Sequence, residues 1–146
     1  MRWHRFLTVA VVVFIAACSL LERGPPPSPA APVEPALVGG EWTAFAVDGV
    51  DEITAPKPKL IWTSADRVVG SGGCNGFSGR ATRQGSSLRF TALAPSERTC
   101  LSLPGGQEDK FFKALEHTRQ LRFDVGFQLV LLDDKGSVVA RFTRPD

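Results

Sequence analysis

The sequence is poor in the residues that make metal and nucleotide sites. It holds three cysteines and two histidines among 146 residues, and no Cys-x-x-Cys pair occurs, so a zinc site of the usual spacing is excluded. No Gly-Lys-Ser/Thr comes after its glycines, which excludes a phosphate-binding loop. Residues 133–136 are too few and wrongly spaced for a calcium loop. We therefore expect neither a metal nor a cofactor.

An excess of one charge sign is also missing. The full chain has 17 Lys and Arg against 15 Asp and Glu. Arg2 and Arg5 lie within the first 17 residues, and without that segment 15 basic residues face 15 acidic ones. Because phosphate attraction supplies most of the non-specific affinity for nucleic acid, we expect no nucleic-acid partner for a neutral domain.

The N-terminus has the pattern of a secretory signal. Arg2 and Arg5 precede an apolar stretch at residues 6–17, which only Thr8 interrupts. A helix of this length reaches about 18 Å, too short for a hydrocarbon core of about 30 Å. These features predict a signal peptide over residues 1–17. The alternative is a short buried helix of the domain, which the proline-rich stretch after it disfavours.

The end of this segment, Ile15-Ala16-Ala17-Cys18, resembles the bacterial lipobox. The resemblance implies cleavage before Cys18, a diacylglycerol on its thiol, and a further acyl chain such as palmitate on its amino group. Two or three acyl chains anchor a protein far more firmly than one. Ser19 is similar to the residue found in lipoproteins sorted to the outer membrane. We therefore expect an envelope lipoprotein, lipid-anchored at the outer membrane and facing the periplasm.

Residues 18–36, the lipidated cysteine and the stretch after it, are expected to form a tether. Six of the eleven prolines lie between residues 19 and 36. Proline fixes φ and has no N–H, so the stretch favours extended polyproline geometry with a reach of at most about 56 Å. It is either a spacer that lifts the domain off the bilayer or a PxxP ligand for a partner module. We favour the spacer because an anchored domain needs clearance.

The domain itself is expected at residues 37–146, mostly as short strands. Alternating apolar residues predict strands at Glu41–Val47 and at residues 60–63, 67–70, 77–82, 87–91, 121–125, 127–132 and 137–143. Turns are expected at Asp48-Gly49 and at residues 133–136. In the last strand, positions 138, 140 and 142 alternate with 139, 141 and 143, which predicts one partly wet face.

One helix is expected after Pro104-Gly105-Gly106. Negative charge in the first turn and positive charge in the last turn suit the helix dipole, and they come from Glu108, Asp109, His117 and Arg119. An apolar stripe at helical spacing consists of Phe111, Phe112, Ala114, Leu115 and Thr118. Short strands on both sides of one helix predict an α+β domain, with the helix packed on a small, curled antiparallel sheet.

The segment from Val69 to Gly79 is the most distinctive part of the chain. Five glycines in eleven residues predict positive φ or close backbone approach at several points. Asn75 tolerates the left-handed region and can bond its own backbone.

Several short motifs together resemble one family. They are Gly-x-Trp at Trp42, Gly-Cys-Asn-x-Phe-x-Gly at Gly73, Cys74, Asn75, Phe77 and Gly79, a Thr and Cys at Thr99 and Cys100, Glu-x-x-Phe-x-x-x-Leu from Glu108, and Leu-x-Leu-x-Asp-x-x-Gly from Leu129. With them the chain resembles the META domain family of HslJ-like, heat-inducible lipoproteins. The segment Arg98-Thr99-Cys100 lacks the Met that the family often has there. The resemblance implies a small fold of antiparallel strands with a helix, a link to heat and antibiotic stress, and no agreed catalytic residues.

Two cysteines remain if Cys18 is lipidated. An even pair in an oxidising compartment predicts a disulfide between Cys74 and Cys100. The closed loop of about 26 residues would stabilise the domain by about 3.5 kcal/mol. Two unpaired buried thiols are the alternative.

Three functions fit this sequence. The first is a non-enzymatic binding or accessory module that contacts an unknown envelope protein or ligand in stress tolerance. The second is a cysteine-dependent hydrolase that uses Cys74 and His117, and the third is a purely structural part. Because no known nucleophile signature is present, we expect that the protein is not an enzyme.

Overall fold

The structure, a computed structural model, describes residues 36–97 and 106–145. The predicted signal segment, Cys18, residues 19–35 of the tether and Cys100 lie outside the described residues. Within the described part of the chain, no helix is long and apolar enough to cross a membrane.

The described domain contains eight strands and one helix. In chain order they are β1 (Glu41–Val47), β2 (Lys59–Ser64), β3 (Arg67–Ser71), β4 (Gly76–Gln84), β5 (Ser87–Pro95), α1 (Gln107–His117), β6 (Gln120–Asp124), β7 (Gln128–Leu132) and β8 (Val138–Thr143). Each strand that the alternating pattern predicts is present, with its ends shifted by a few residues. The mostly antiparallel sheet with one helix confirms the α+β class.

The sheet closes on itself. Every strand pairs antiparallel with the next, and β8 returns to pair with β1 through contacts such as Thr43 with Thr143 and Val47 with Ala140. The pairing between β5 and β6 is the shortest, with a single register pair, Ser87 with Gln120. The result is an eight-stranded barrel. Closure satisfies most of the backbone groups that an open sheet would leave at its edges, with β5 and β6 joined only near Ser87 and Gln120.

The connections between strands define two ends of the barrel. One end carries the turns after β2 and β6, at residues 65–66 and 125–127, together with residues 36–40 and Arg144. We call this the hairpin end. The other, the helix end, carries the loops at residues 48–58, 72–75 and 133–137. Helix α1 contacts two of these helix-end loops through its first turn.

The turn after β4, at residues 85–86, does not lie at the hairpin end, because Ser86 and Ser87 line a surface cavity with Asp134 of a helix-end loop. Its Ser86 O accepts the N–H of Leu121 at 2.8 Å, and Leu88 N donates to Arg119 O at 2.9 Å. The turn therefore lies along the wall of the barrel, beside the start of β6. Tilted strands with a staggered register, as barrel closure requires, produce such an offset.

The barrel interior and one face of the helix share a single apolar core. Alternate residues of the strands point inward, among them the fully buried Trp42, Leu60, Leu88 and Leu129. The helix adds Phe111 and Leu115, which are also fully buried. Phe111 lies 6.0 Å from Phe77 of β4 and 6.3 Å from Phe142 of β8, between ring centroids. The stripe that the sequence predicts on the helix is therefore a core face.

Three local predictions are wrong. Phe127 was expected to open the seventh strand and Val125 to close the sixth, but both lie in the turn between β6 and β7 and are exposed. Positions 139, 141 and 143 are expected on the partly wet face of the last strand, and Arg141 and Thr143 are partly or fully exposed, but Val139 is buried like Ala140. The register between β7 and β8 shifts at this point, because Leu131 pairs with Ala140 and Leu132 with Val138. Such a bulge breaks the two-residue alternation on which the prediction rested.

Candidate functional site

The start of helix α1 binds the glycine-rich loop between β3 and β4. Glu108 Oε2 accepts hydrogen bonds from the backbone N–H of Cys74 at 2.9 Å and of Asn75 at 2.7 Å. Its Oε1 accepts a third from Asn75 Nδ2 at 2.7 Å. Successive backbone N–H groups that converge in this way form a concave anion site. In this domain the anion is the carboxylate of Glu108.

Asn75 acts through its side chain rather than through an unusual backbone conformation. It was expected to suit a left-handed backbone, but the positive φ in residues 69–79 falls at Gly73, at 124°. Asn75 Oδ1 accepts a hydrogen bond from Ser96 Oγ at 3.1 Å, and Ser96 N donates to Gly76 O at 2.8 Å. Asn75 therefore connects the loop to both α1 and the end of β5.

The glycines of this segment allow close approach, as the sequence predicts. A Cβ at Gly72 would lie 2.6 Å from Glu108 Cγ, and one at Gly79 would lie 2.7 Å from Leu93 Cδ2. At Gly70 it would lie 2.0 Å from the backbone oxygen of Lys59. These contacts are shorter than any real Cβ tolerates, so a side chain at each position would displace its neighbour.

Gln107 is a structurally important residue that no sequence pattern indicates. Its side chain is fully buried, and its Oε1 accepts the N–H of Thr54 at 2.8 Å. Its Nε2 donates to Thr54 O at 3.1 Å and to Pro56 O at 3.4 Å. Both the oxygen and the nitrogen of the side-chain amide thus bind the loop after β1. Nothing in the local sequence distinguishes this glutamine from an exposed one at the start of a helix.

The aromatic motif residue Phe77 packs beneath the same loop. Its ring centroid lies 5.4 Å from that of Phe112, edge to face, and 6.0 Å from that of Phe111. Edge-to-face pairs of this kind stabilise beyond their buried area. Phe77 therefore packs against the aromatic side chains of α1, while Glu108 joins the first turn of the helix to the glycine-rich loop by hydrogen bonds.

Trp42, the remaining motif residue, lies at the hairpin end of the core. Its indole is fully buried, 6.0 Å from the ring of Phe123, and the guanidinium of Arg144 stands 5.2 Å above it. Gly40 makes room for that guanidinium, since a Cβ there would lie 2.2 Å from Arg144 Nη2. Within the described residues, the Trp42 Nε1 atom has no hydrogen-bond partner. The Gly-x-Trp motif is therefore part of a packing arrangement.

The structure does not bring Cys74 and His117 together. Cys74 lies in the loop bound to the first turn of α1, whereas His117 is in the last turn of the helix. Nine residues of helix separate Glu108 from His117, which corresponds to about 14 Å of rise. His117 is exposed and lines a surface cavity with Asp48, Lys110 and Lys113. Because Cys100 lies outside the described residues, its disulfide with Cys74 stays a prediction.

The described residues thus form a small closed antiparallel barrel, and helix α1 binds the neighbouring loops through its first two residues. The motif residues Trp42, Cys74, Asn75 and Phe77 take part in the packing and the hydrogen bonds of the domain. The META domain family matches residues 35–146. The chain belongs to the META domain family.

Two solved structures share the fold. An NMR structure of a protein from Burkholderia xenovorans is 23% identical, with a TM-score of 0.56, and the match covers 84% of this chain and 97% of that one. A second NMR structure is 21% identical, also with a TM-score of 0.56, over 73% of this chain and 90% of the other. No curated protein matches the chain significantly.

Proposed function

We propose that the protein is a lipid-anchored envelope protein whose META domain is a non-enzymatic binding or accessory module in tolerance to heat and antibiotics. Its signal peptide is residues 1–17, its lipid is carried on Cys18, and residues 19–36 tether the domain to the outer membrane. Support for the anchor comes from the lipobox-like residues before Cys18 and from the proline-rich stretch after it.

The observation that carries the non-enzymatic part is the contact between Glu108 and the loop of Cys74. In a cysteine enzyme that transfers acyl groups, paired N–H donors beside the nucleophile would hold the developing oxyanion. Here the N–H groups of Cys74 and Asn75 donate to the Glu108 carboxylate at 2.9 and 2.7 Å. His117 lies in the last turn of the helix, whereas the loop of Cys74 is bound to the first turn, so the structure does not place this histidine as a base for Cys74.

The predicted disulfide between Cys74 and Cys100 belongs to the same proposal. Cys100 lies in the connection between β5 and α1, and both flanks of that connection lie beside the loop of Cys74. On one side Ser96 bonds Asn75 and Gly76, and on the other Glu108 bonds Cys74. A disulfide here would add a covalent link to a cluster that hydrogen bonds already hold. It would also leave no thiolate for catalysis.

Complementation of a deletion strain tests this function. The strain is grown under heat and under envelope-active antibiotics, and it carries the wild-type chain, Cys18→Ala, Cys74→Ala or Cys100→Ala. We expect loss of tolerance in the deletion strain, no rescue by Cys18→Ala, and equal partial rescue by the two other variants. Cys100→Ala is the matched control, because it breaks the same disulfide but keeps the Cys74 thiol.

Two results would contradict the proposal. If Cys100→Ala rescues fully and Cys74→Ala does not rescue at all, then Cys74 has a chemical role. If the deletion strain tolerates both stresses as the parent does, the function lies elsewhere.

A further inference from the structure

We propose that the hairpin end of the barrel docks onto the surface of a phospholipid bilayer, with the turn between β6 and β7 inserted among the lipids. The inference rests on the proposed lipid anchor at Cys18 and adds an orientation to it. Three features support it, namely the exposed side chains of that turn, the charges around it, and the place where the chain enters the barrel.

The turn between β6 and β7 presents two apolar side chains to solvent. Val125 is 95% exposed and Phe127 is 63% exposed, more than any other large apolar residue in the described part of the chain. Phe127 also has a φ of 56°, next to Gly126 with a φ of 74°. A bulky residue is disfavoured in this backbone region, where glycine and asparagine fit better. The chain therefore places an aromatic ring at the tip of a hairpin, where neither packing nor backbone preference favours it.

Basic residues are in excess at this end of the barrel. The three acidic residues there have basic partners, since Asp124 binds Arg122 and Arg141, Asp66 binds Arg80, and Glu41 binds Lys59. The Ser64 hydroxyl and these charges lower the pKa of Asp66. The hairpin end holds five of the eight arginines in the described residues, namely Arg67, Arg80, Arg122, Arg141 and Arg144.

At the helix end, acidic residues outnumber basic ones. A domain whose total charge is near zero is therefore polarised along the barrel axis. Arginines near an anionic lipid surface are attracted to it, and carboxylates are repelled, so the polarity favours the hairpin end facing the bilayer. The helix end carries nine acidic residues, namely Asp48, Asp51, Glu52, Glu97, Glu108, Asp109, Glu116, Asp133 and Asp134, against seven basic ones, namely Lys57, Lys59, Arg89, Lys110, Lys113, Arg119 and Lys135.

The chain enters the domain at the hairpin end. Val38 lies beside Trp62 in a parallel bridge, and Gly39 N donates to Trp62 O at 2.9 Å. Leu37 is buried in the core, which fixes the point of entry. The chain therefore enters the barrel on the side where Phe127 and the arginines lie.

The size of the apolar tip favours a lipid surface over a protein partner. A stable protein interface buries about 800 Å² on each side, with a packed apolar centre. A tip of two apolar side chains within a basic rim is too small for that. It is typical of segments that insert a few side chains at the boundary between headgroups and acyl chains, where anionic lipids attract the basic residues.

The test uses the full lipidated protein, reconstituted in vesicles of phosphatidylethanolamine and phosphatidylglycerol with or without brominated acyl chains. Phe127→Trp reports on the tip, and Val125→Trp is a second reporter without the positive φ. Lys135→Trp is the matched control, since Lys135 is an exposed turn residue at the helix end. We expect brominated lipid to quench the added indole of both tip variants and to shift its emission to the blue. The control should show neither change, and the native Trp42 and Trp62, which are buried, contribute the same background to each variant.

The outcomes separate this inference from the proposed anchor. If the protein sediments with vesicles but the tip variants are quenched no more than Lys135→Trp, the anchor stands and the docking is wrong. If the protein does not sediment with vesicles at all, both are wrong. Quenching at the tip that persists in vesicles without phosphatidylglycerol would overturn the part assigned to the arginines.

Discussion

Glu108 binds Asn75 twice, through the backbone nitrogen at 2.7 Å and through the side-chain Nδ2 at 2.7 Å. One carboxylate thus satisfies both the backbone and the side chain of the motif asparagine. Together with the bond to Cys74, these contacts make the first turn of α1 the place where the glycine-rich loop is held. The motif Gly-Cys-Asn and the helix motif that begins with Glu108 are therefore two halves of one contact.

Substitution of Glu108 should destabilise the domain more than its charge alone explains. Glu108→Gln replaces one acceptor oxygen by a donor, and we expect a loss of about 1.5–3 kcal/mol in the free energy of unfolding. The control is Asp109→Asn in the same turn, which loses only the interaction with the helix dipole, about 0.3–1 kcal/mol. Urea denaturation measures both. Equal losses would mean that the hydrogen bonds of Glu108 contribute nothing.

Gln107 should behave as a buried residue despite its polar side chain. Gln107→Leu keeps the volume but leaves the N–H of Thr54 without its acceptor, and we expect a loss of about 1–3 kcal/mol. Gln84→Leu is the control, because Gln84 is exposed at the end of β4 and its substitution should change stability by no more than about 0.5 kcal/mol. Thermal unfolding followed by circular dichroism compares them. A neutral Gln107→Leu would contradict the observed hydrogen bonds.

Alanine at Gly70 should cost more stability than alanine at Gly40, because different groups face the two glycines. At Gly70 a methyl group would meet the rigid backbone oxygen of Lys59, so Gly70→Ala should cost about 2–3 kcal/mol, as overpacking does. At Gly40 it would meet the flexible guanidinium of Arg144, which can move away. Gly40→Ala should then cost about 1 kcal/mol at most, the value of the contact with Trp42. Urea denaturation of the two variants is the measurement, and the reverse order of stabilities would show that the close approaches are wrongly assigned.

We expect that Phe127 serves the function of the domain and does not stabilise its fold. Phe127→Asn relieves the positive φ while removing little buried surface, and we expect a gain of about 1 kcal/mol. Val125→Asn, two residues away and without positive φ, should change stability by no more than about 0.5 kcal/mol. Differential scanning calorimetry of the two variants is the measurement. A destabilised Phe127→Asn would mean that the phenylalanine contributes to packing.

Much of the fold can be predicted from local patterns in the sequence. The strands have short alternating runs, and α1 has an apolar stripe with acidic residues in its first turn, so both are readable without tertiary information. The closure of the sheet is different. The pairing of Thr43 with Thr143 joins residues a hundred positions apart, and no local pattern encodes it.

The candidate site, like the fold, can be predicted only in part from local sequence patterns. The motif residues Gly73, Cys74 and Asn75 can be identified from the sequence, and Glu108 begins a second motif, but no local pattern predicts that Glu108 binds Cys74 and Asn75. Gln107 escaped notice because its burial depends on the loop of Thr54, which lies 53 residues away in the chain. Val139 and Phe127 were misplaced because a bulge and a left-handed turn interrupt strand periodicity.

The central claim is that this META domain protein is exported, cut before Cys18 and held by lipid at that residue. Mass spectrometry of the intact protein, purified from the membranes of its own bacterium, tests it most directly. The account predicts a chain that begins at Cys18 and carries a diacylglycerol, with or without a further acyl chain. A protein that retains residues 1–17 and carries no lipid would contradict it.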